Sequence, residues 1–158
     1  MRTLLKCLCL LTGVLAGCTS FAPSGGLIGQ DRTAVIADMG PPSRERQLPS
    51  GSRLEYPRGP FGKSTYFVFL DASGKVIGWE NVLKTENFDK ITAGMTGSEV
   101  EFLIGESKSS FGVGFQNHRV WNYPFHNSIC RVFQVELTPD GKVDSTGFGY
   151  APECGSSW

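Results

Sequence analysis

The chain repeats itself. Tyr56-Pro57 recurs as Tyr123-Pro124, Val68 as Val135, Leu70 as Leu137, and Gly74-Lys75-Val76 as Gly141-Lys142-Val143, all at an offset of 67. Seven of the 24 positions from Arg53 to Val76 are identical at that offset, and their order is kept. Earlier in each half the offset is 65, pairing Gly29 with Gly94, Val35 with Val100 and Gly40 with Gly105. A two-residue change between runs of matches reads as an insertion in a loop. Self-similarity of this kind means two copies of one supersecondary unit. Each copy spans about 65 residues and buries too small a share of its surface to stand alone, so the two are expected to dock or to share a sheet.

Both copies read the same way. A short helix comes first. In the second copy Thr96 and Glu99 form a capping-box pair ahead of Val100, Leu103 and Ile104, and Gly105 stops the helix. In the first copy Asp31 caps, Val35, Ile36 and Met39 give the apolar face, and Gly40-Pro41-Pro42 ends it. Asn87 to Ile91 adds a possible helical turn. Three strands follow in each copy: Arg53–Pro57, Ser64–Leu70 and Lys75–Leu83, then Arg119–Pro124, Ile129–Leu137 and Lys142–Tyr150. The run from Tyr66 to Leu70 is apolar on both faces, as in a strand covered on both sides. Gln134 and Glu136 alternate with Val135 and Leu137, which suits one wet face. The turns at Gly74 and Pro139-Asp140-Gly141 join the last two strands of each copy. The expected class is α+β: two tandem units, each a short helical segment packed on a three-stranded antiparallel meander.

The N-terminus reads as an export signal. Arg2 and Lys6 precede the apolar run Leu8 to Leu15, which is too short to span a bilayer as a permanent helix. Leu15-Ala16-Gly17-Cys18 resembles the bacterial lipobox. That resemblance implies diacylglycerol on Cys18, cleavage before it and acylation of the new amine. Residues 1–17 are then the signal peptide and 18–26 a Pro/Gly-bearing tether. Units of 27–84 and 85–154 follow. The mature chain carries about two more acids than bases, so no field exists to attract nucleic acid. Cys7 and Cys9 leave with the signal. Cys130 and Cys154 remain, an even pair in an oxidising compartment, and a disulfide between them is the first expectation, with two buried thiols as the alternative. Closing it would stabilise the fold by about 3 kcal/mol.

Gly94-Met95-Thr96, Val100, Leu103-Ile104-Gly105 and Trp121-Asn122-Tyr123 carry a family resemblance. The chain is similar to the SmpA/OmlA family of small outer-membrane lipoproteins, which includes BamE, over about Asn87 to Tyr150. The first copy matches weakly, with Gly29-Gln30-Asp31 and Leu54-Glu55-Tyr56 at the motif positions. The resemblance implies two BamE-like units and a supporting role in outer-membrane protein assembly or envelope integrity, through a protein partner in that machinery. Thr19 after the cysteine fits outer-membrane routing and a periplasmic position. A tandem of two such units also looks like the β-lactamase inhibitor protein architecture. That gives a second reading, inhibition of a periplasmic or cell-wall enzyme.

No catalytic constellation is present in the sequence, so no enzyme activity and no cofactor are expected. His118 and His126 lie at no recognised metal-ligand spacing, and no metal is expected. Partner-binding candidates are apolar residues placed on Gly-rich loops: Phe61 in the first copy, and Phe111, Val113 and Phe115 in the second. The competing reading is that these side chains fold back to plug a small core. Trp79, Trp121 and Tyr123 read as core.

Overall fold

A computed structural model of the protein describes residues 21–150, the side chain of Pro60 excepted. The signal, Cys18 and Cys154 lie outside the described residues. Two four-stranded antiparallel sheets follow one another along the chain. The first runs β1 (Arg44–Leu48), β2 (Gly51–Arg58), β3 (Ser64–Asp71), β4 (Val76–Asn81). The second runs β5 (Ser109–Val113), β6 (His118–Pro124), β7 (Arg131–Leu137), β8 (Val143–Tyr150). Helix α1 (Arg32–Met39) precedes the first sheet; α2 (Thr85–Phe88) and α3 (Gly97–Ile104) precede the second. The protein is a two-unit α+β fold. Among the described residues no helix is long and apolar enough to cross a membrane.

Each meander has four strands, not the three expected. The additional strands, β1 and β5, are sheet edges. Their sequences, Arg-Glu-Arg-Gln-Leu and Ser-Ser-Phe-Gly-Val, lack the run of branched and aromatic residues that marks a buried strand. Pairing with β2 and β6 makes them strands. Phe111 and Val113 therefore belong to a strand, a correction to their expected place on a loop.

The two copies share their local hydrogen bonds. Asp31 accepts from the Ala34 amide and caps α1, while Thr96 and Glu99 form the full capping box on α3. Gly29 N–H donates to the Val76 carbonyl at 2.8 Å, and Gly94 N–H to that of Val143 at 2.8 Å. Val76 and Val143 donate back to Gln30 and Met95. The Tyr56 hydroxyl donates to the Gly40 carbonyl and the Tyr123 hydroxyl to that of Gly105, each at 3.2 Å. The register shifts at Phe69/Leu70 and again at Glu136/Leu137. One difference stands out. The β1–β2 turn has two residues, Pro49 and Ser50, whereas Gly114 to Asn117 join β5 to β6. The change of offset from 65 to 67 is this longer hairpin tip.

Packing explains why the units dock. On one face of the first sheet Leu54, Tyr56, Val68, Leu70 and Val76 cluster with Val35 of α1. The opposite face meets α3. Arg53 donates from Nη1 to the Phe102 carbonyl at 2.9 Å, and its guanidinium lies between the rings of Phe67 and Phe102, 3.9 and 4.5 Å from their centres. Glu55 accepts from Arg53 and Arg46, both at 2.7 Å. Arg44 reaches Glu101 at 2.6 Å. The other side of α3 carries Val100 and Ile104 into a second core with Tyr123, Phe133, Val135, Leu137 and Val143. The layers run α1, first sheet, α3, second sheet. The apolar-on-both-faces run in β3 is a strand with a helix on each side.

Gly40 and Gly105 end their helices at φ of 75° and 82° with ψ of −173° and −179°, a conformation that only glycine adopts readily. At Gly105 an added Cβ would also lie 2.9 Å from Thr65 Cγ2, across the seam between units; at Gly40 its nearest neighbour is Arg58 Nη2 at 4.0 Å. Gly40→Ala should lower stability by about 1–3 kcal/mol, and Gly105→Ala by a further ~1–3 kcal/mol for overpacking. Urea unfolding of the two variants measures both; equal losses would contradict this docking.

Candidate functional site

The register assigns residues to faces. On the second sheet Trp121, Tyr123, Phe133, Val135 and Leu137 point to α3. The opposite face carries Phe111 and Val113 of β5, His118, Val120 and Asn122 of β6, and Gln134 and Glu136 of β7. By the repeat, this is the face that α3 covers on the first sheet. Among the described residues no helix lies on it. Val120 takes the place of Arg53, Asn122 that of Glu55 and Gln134 that of Phe67. The clasp that holds α3 on the first sheet has therefore been replaced by an apolar patch with amide-bearing neighbours.

The two edge strands differ in the same sense. β1 is charged: Arg44 pairs with Glu101, and Glu45 accepts from Arg32 at 2.9 Å. Charges of this kind protect an edge from pairing with other chains. β5 has no charge at all, and all five of its residues are exposed. Beyond it Phe115, at the tip of the longer hairpin, is fully exposed. The turn there needs left-handed backbone at Gly114 and Asn117, with φ of 61° and 56°.

Phe61 lies apart, 68% exposed, on a turn between β2 and β3 where its own φ is 58°. That turn lies against β6 and forms one wall of a cleft of about 270 Å³. The other wall includes Glu106, Lys108, Ser109 and Asn122. Lys108 beside Glu106 holds that carboxyl below the usual range. Burial pushes the Tyr123 hydroxyl well above its ordinary value, so it stays a neutral donor. Trp121 is partly buried against the second core and Trp79 is 36% exposed, stacked edge-on with Tyr66. Cys130 is disulfide-bonded; its expected partner, Cys154, lies outside the described residues.

One group in the fold was invisible in the sequence. His118 Nδ1 lies 2.9 Å from Glu136 Oε1 and 4.0 Å from Asp144 Oδ2. Ser145 donates to the other Glu136 oxygen at 2.9 Å. The hydrogen bond from His118, helped by that from Ser145, keeps the Glu136 carboxyl below its ordinary range. Residues 18 and 26 positions away from His118 meet it because three neighbouring strands place them there; no short motif could have shown this. His126 instead pairs with Ser64 of the first unit, Nε2 to Oγ at 3.0 Å.

No family model matches the chain, and no curated protein matches it. Two solved structures share similarity. The DUF4309-family protein YjgB of Bacillus subtilis is 15% identical, with a TM-score of 0.31, over 81% of this chain and 84% of that one. A candidate beta-lactamase inhibitor protein of Streptococcus mutans is 12% identical, with a TM-score of 0.34, over 74% of this chain and 80% of that one. These comparisons overturn the SmpA/OmlA resemblance: the matching structures belong elsewhere. The Gly-Met-Thr and Trp-x-Tyr residues serve as a helix start and a strand of this unit, as packing alone requires. At these TM-scores neither structure carries an argument about function.

If Phe111 and Phe115 plugged a core, their removal would be costly. Their exposure predicts otherwise: Phe115→Ser and Phe111→Ser should each change stability by less than about 0.5 kcal/mol, whereas Phe133→Ala should cost about 3–5 kcal/mol. Chemical unfolding of the three variants is the check. A large loss at Phe115 would remove it from any binding surface.

Proposed function

We propose that the protein is a non-catalytic binding module, held by lipid on Cys18 at the periplasmic face of the outer membrane, that inhibits an enzyme of the periplasm or cell wall. The observation that supports this reading is the departure of the second copy from the first. The helix caps, the hydrogen bonds that tie each helix start to its last strand and the tyrosine hydroxyl contacts are kept in both. Along β5 and its hairpin the second copy lacks the charges of β1, gains two residues at the tip and presents Phe111, Val113 and Phe115 to solvent, and on the adjoining face Val120 and Asn122 stand in place of the Arg53–Glu55 pair. Changes confined to a surface, on a scaffold otherwise preserved, fit recognition better than folding.

The chemistry follows from the shapes. A hairpin with one aromatic at its tip suits entry into a concave site such as an enzyme cleft, with Phe115 as anchor. Phe111 and Val113 then meet the cleft rim, with the half-buried Gln134 and Glu136 of the same sheet face behind them. Buried aromatic anchors dominate the energy of such contacts, and the polar surround keeps water out. The open edge of β5 offers main-chain groups for pairing with an extended segment of the enzyme. No cofactor takes part. The assembly role expected from the SmpA/OmlA resemblance lost its basis with that resemblance.

The test is a panel of purified β-lactamases and peptidoglycan hydrolases assayed with the protein. One or more should be inhibited at one-to-one stoichiometry. Phe115→Ala should weaken that inhibition by about 30-fold, which corresponds to roughly 2 kcal/mol. No inhibition across the panel, or inhibition untouched by both Phe115→Ala and Phe111→Ala, would overturn the proposal.

A further inference from the structure

The three polar groups on the second sheet can do more than bond to one another. His118 opens β6, Glu136 sits near the end of β7, and Asp144 follows the start of β8. Among the described residues they are the one group of three whose potential ligand atoms lie within 4.8 Å of one another. We propose that His118 Nδ1, Glu136 Oε1 and Asp144 Oδ2 form a site for a divalent transition-metal ion of the zinc type.

Distance supports it first. Ligand bonds of about 2.0–2.2 Å in a tetrahedral zinc site put donor atoms roughly 3.3 Å apart. The separations of 2.9 and 4.0 Å bracket that value, so small side-chain rotations bring the donors into place. The donors stand on three hydrogen-bonded neighbouring strands, which fixes their Cβ positions without help from a loop.

Charge supports it second. Two carboxylates share the group, and among the described residues neither has a Lys or Arg ion pair. A divalent cation balances both. One imidazole among the ligands favours zinc, copper or nickel over magnesium or calcium, which take oxygen donors. Ser145 holds the second Glu136 oxygen and leaves Oε1 for the ion, the arrangement by which outer partners orient a ligating carboxylate.

Comparison of the copies supports it third. The first unit has Gly51, Phe69 and Ile77 where the second has His118, Glu136 and Asp144. The fold builds the same strands without any ligand there, so the group is not a requirement of the sheet. Binding needs the Nδ1 proton to leave. A neutral imidazole regains one at Nε2 from water, so the exchange is balanced with no other reactant. Asp144, with about half of its side chain exposed, leaves a coordination position facing solvent. The site does not depend on the inhibitor reading.

Calorimetric titration of the protein with Zn²⁺, with Mg²⁺ as control and thermal unfolding in parallel, tests it. One Zn²⁺ per chain should bind and raise the Tm, and Mg²⁺ should do neither. His118→Ala and Glu136→Gln should each weaken binding by more than about tenfold, and Asp144→Asn should weaken it too. His126→Ala should leave it unchanged. Absence of saturable one-to-one binding, or binding that survives His118→Ala, would overturn the proposal. Asp144 is about half exposed, so Asp144→Asn should unfold as the parent does without metal and isolates the loss of a ligand, whereas His118, mostly buried beside Glu136, should lose some stability when truncated.

Discussion

Helix α3 has to serve two sheets. With eight residues it offers little surface, yet Val100 and Ile104 close the core of the second unit while Glu101 and the Phe102 carbonyl hold the first. The Arg53 guanidinium is the centre of that contact. Burial draws it below its ordinary basicity, and the hydrogen bond it donates to Glu55 pulls the other way. A buried charge of this kind is tolerated only when it is paired. Arg53 has Glu55, a carbonyl and two aromatic faces; its Nε alone has no hydrogen-bond partner. The pair adds little to net stability by itself, because its desolvation offsets most of its attraction. Its effect is positional, fixing where α3 lies on β2 and β3.

From that constraint the asymmetry of the molecule follows. The first sheet is covered twice, by α1 and by α3. Among the described residues the second sheet is covered on one face only. In a stack of such units, the next helix would lie where Phe111, Val113 and Val120 are. There the Arg53–Glu55 pair of the first sheet is replaced by Val120 and Asn122, and an aromatic hairpin tip stands beside them. The His118 group sits on the same face, at the base of the hairpin.

Much of the unit was legible from residues alone. The repeat, the helix caps, the turns at Gly74 and Gly141, and the two-faced strand from Tyr66 to Leu70 all follow from local chemistry, and local chemistry is what a sequence displays. The edge strands were not legible, because Arg44–Leu48 and Ser109–Val113 are strands by virtue of a neighbour rather than of their own preference. The four-layer order was hidden for a related reason. Arg53 and Glu55 alternate with Leu54 and Tyr56 in the way a solvent-facing row would, and only the docked helix makes them interior. The His118 group depends on sheet register across three strands. The family resemblance misled because its motif residues are those that any capped helix followed by a Trp-x-Tyr strand would need.

The central claim is that the two copies fold as one body because they share α3. Trp79 lies in the first unit and Trp121 in the second, so Trp79→Phe and Trp121→Phe, each combined with Trp158→Phe to remove the third tryptophan, give each unit its own fluorescence reporter. Urea unfolding followed through each should give one coincident transition. Two transitions at different midpoints, with one unit folded while the other is not, would contradict the account.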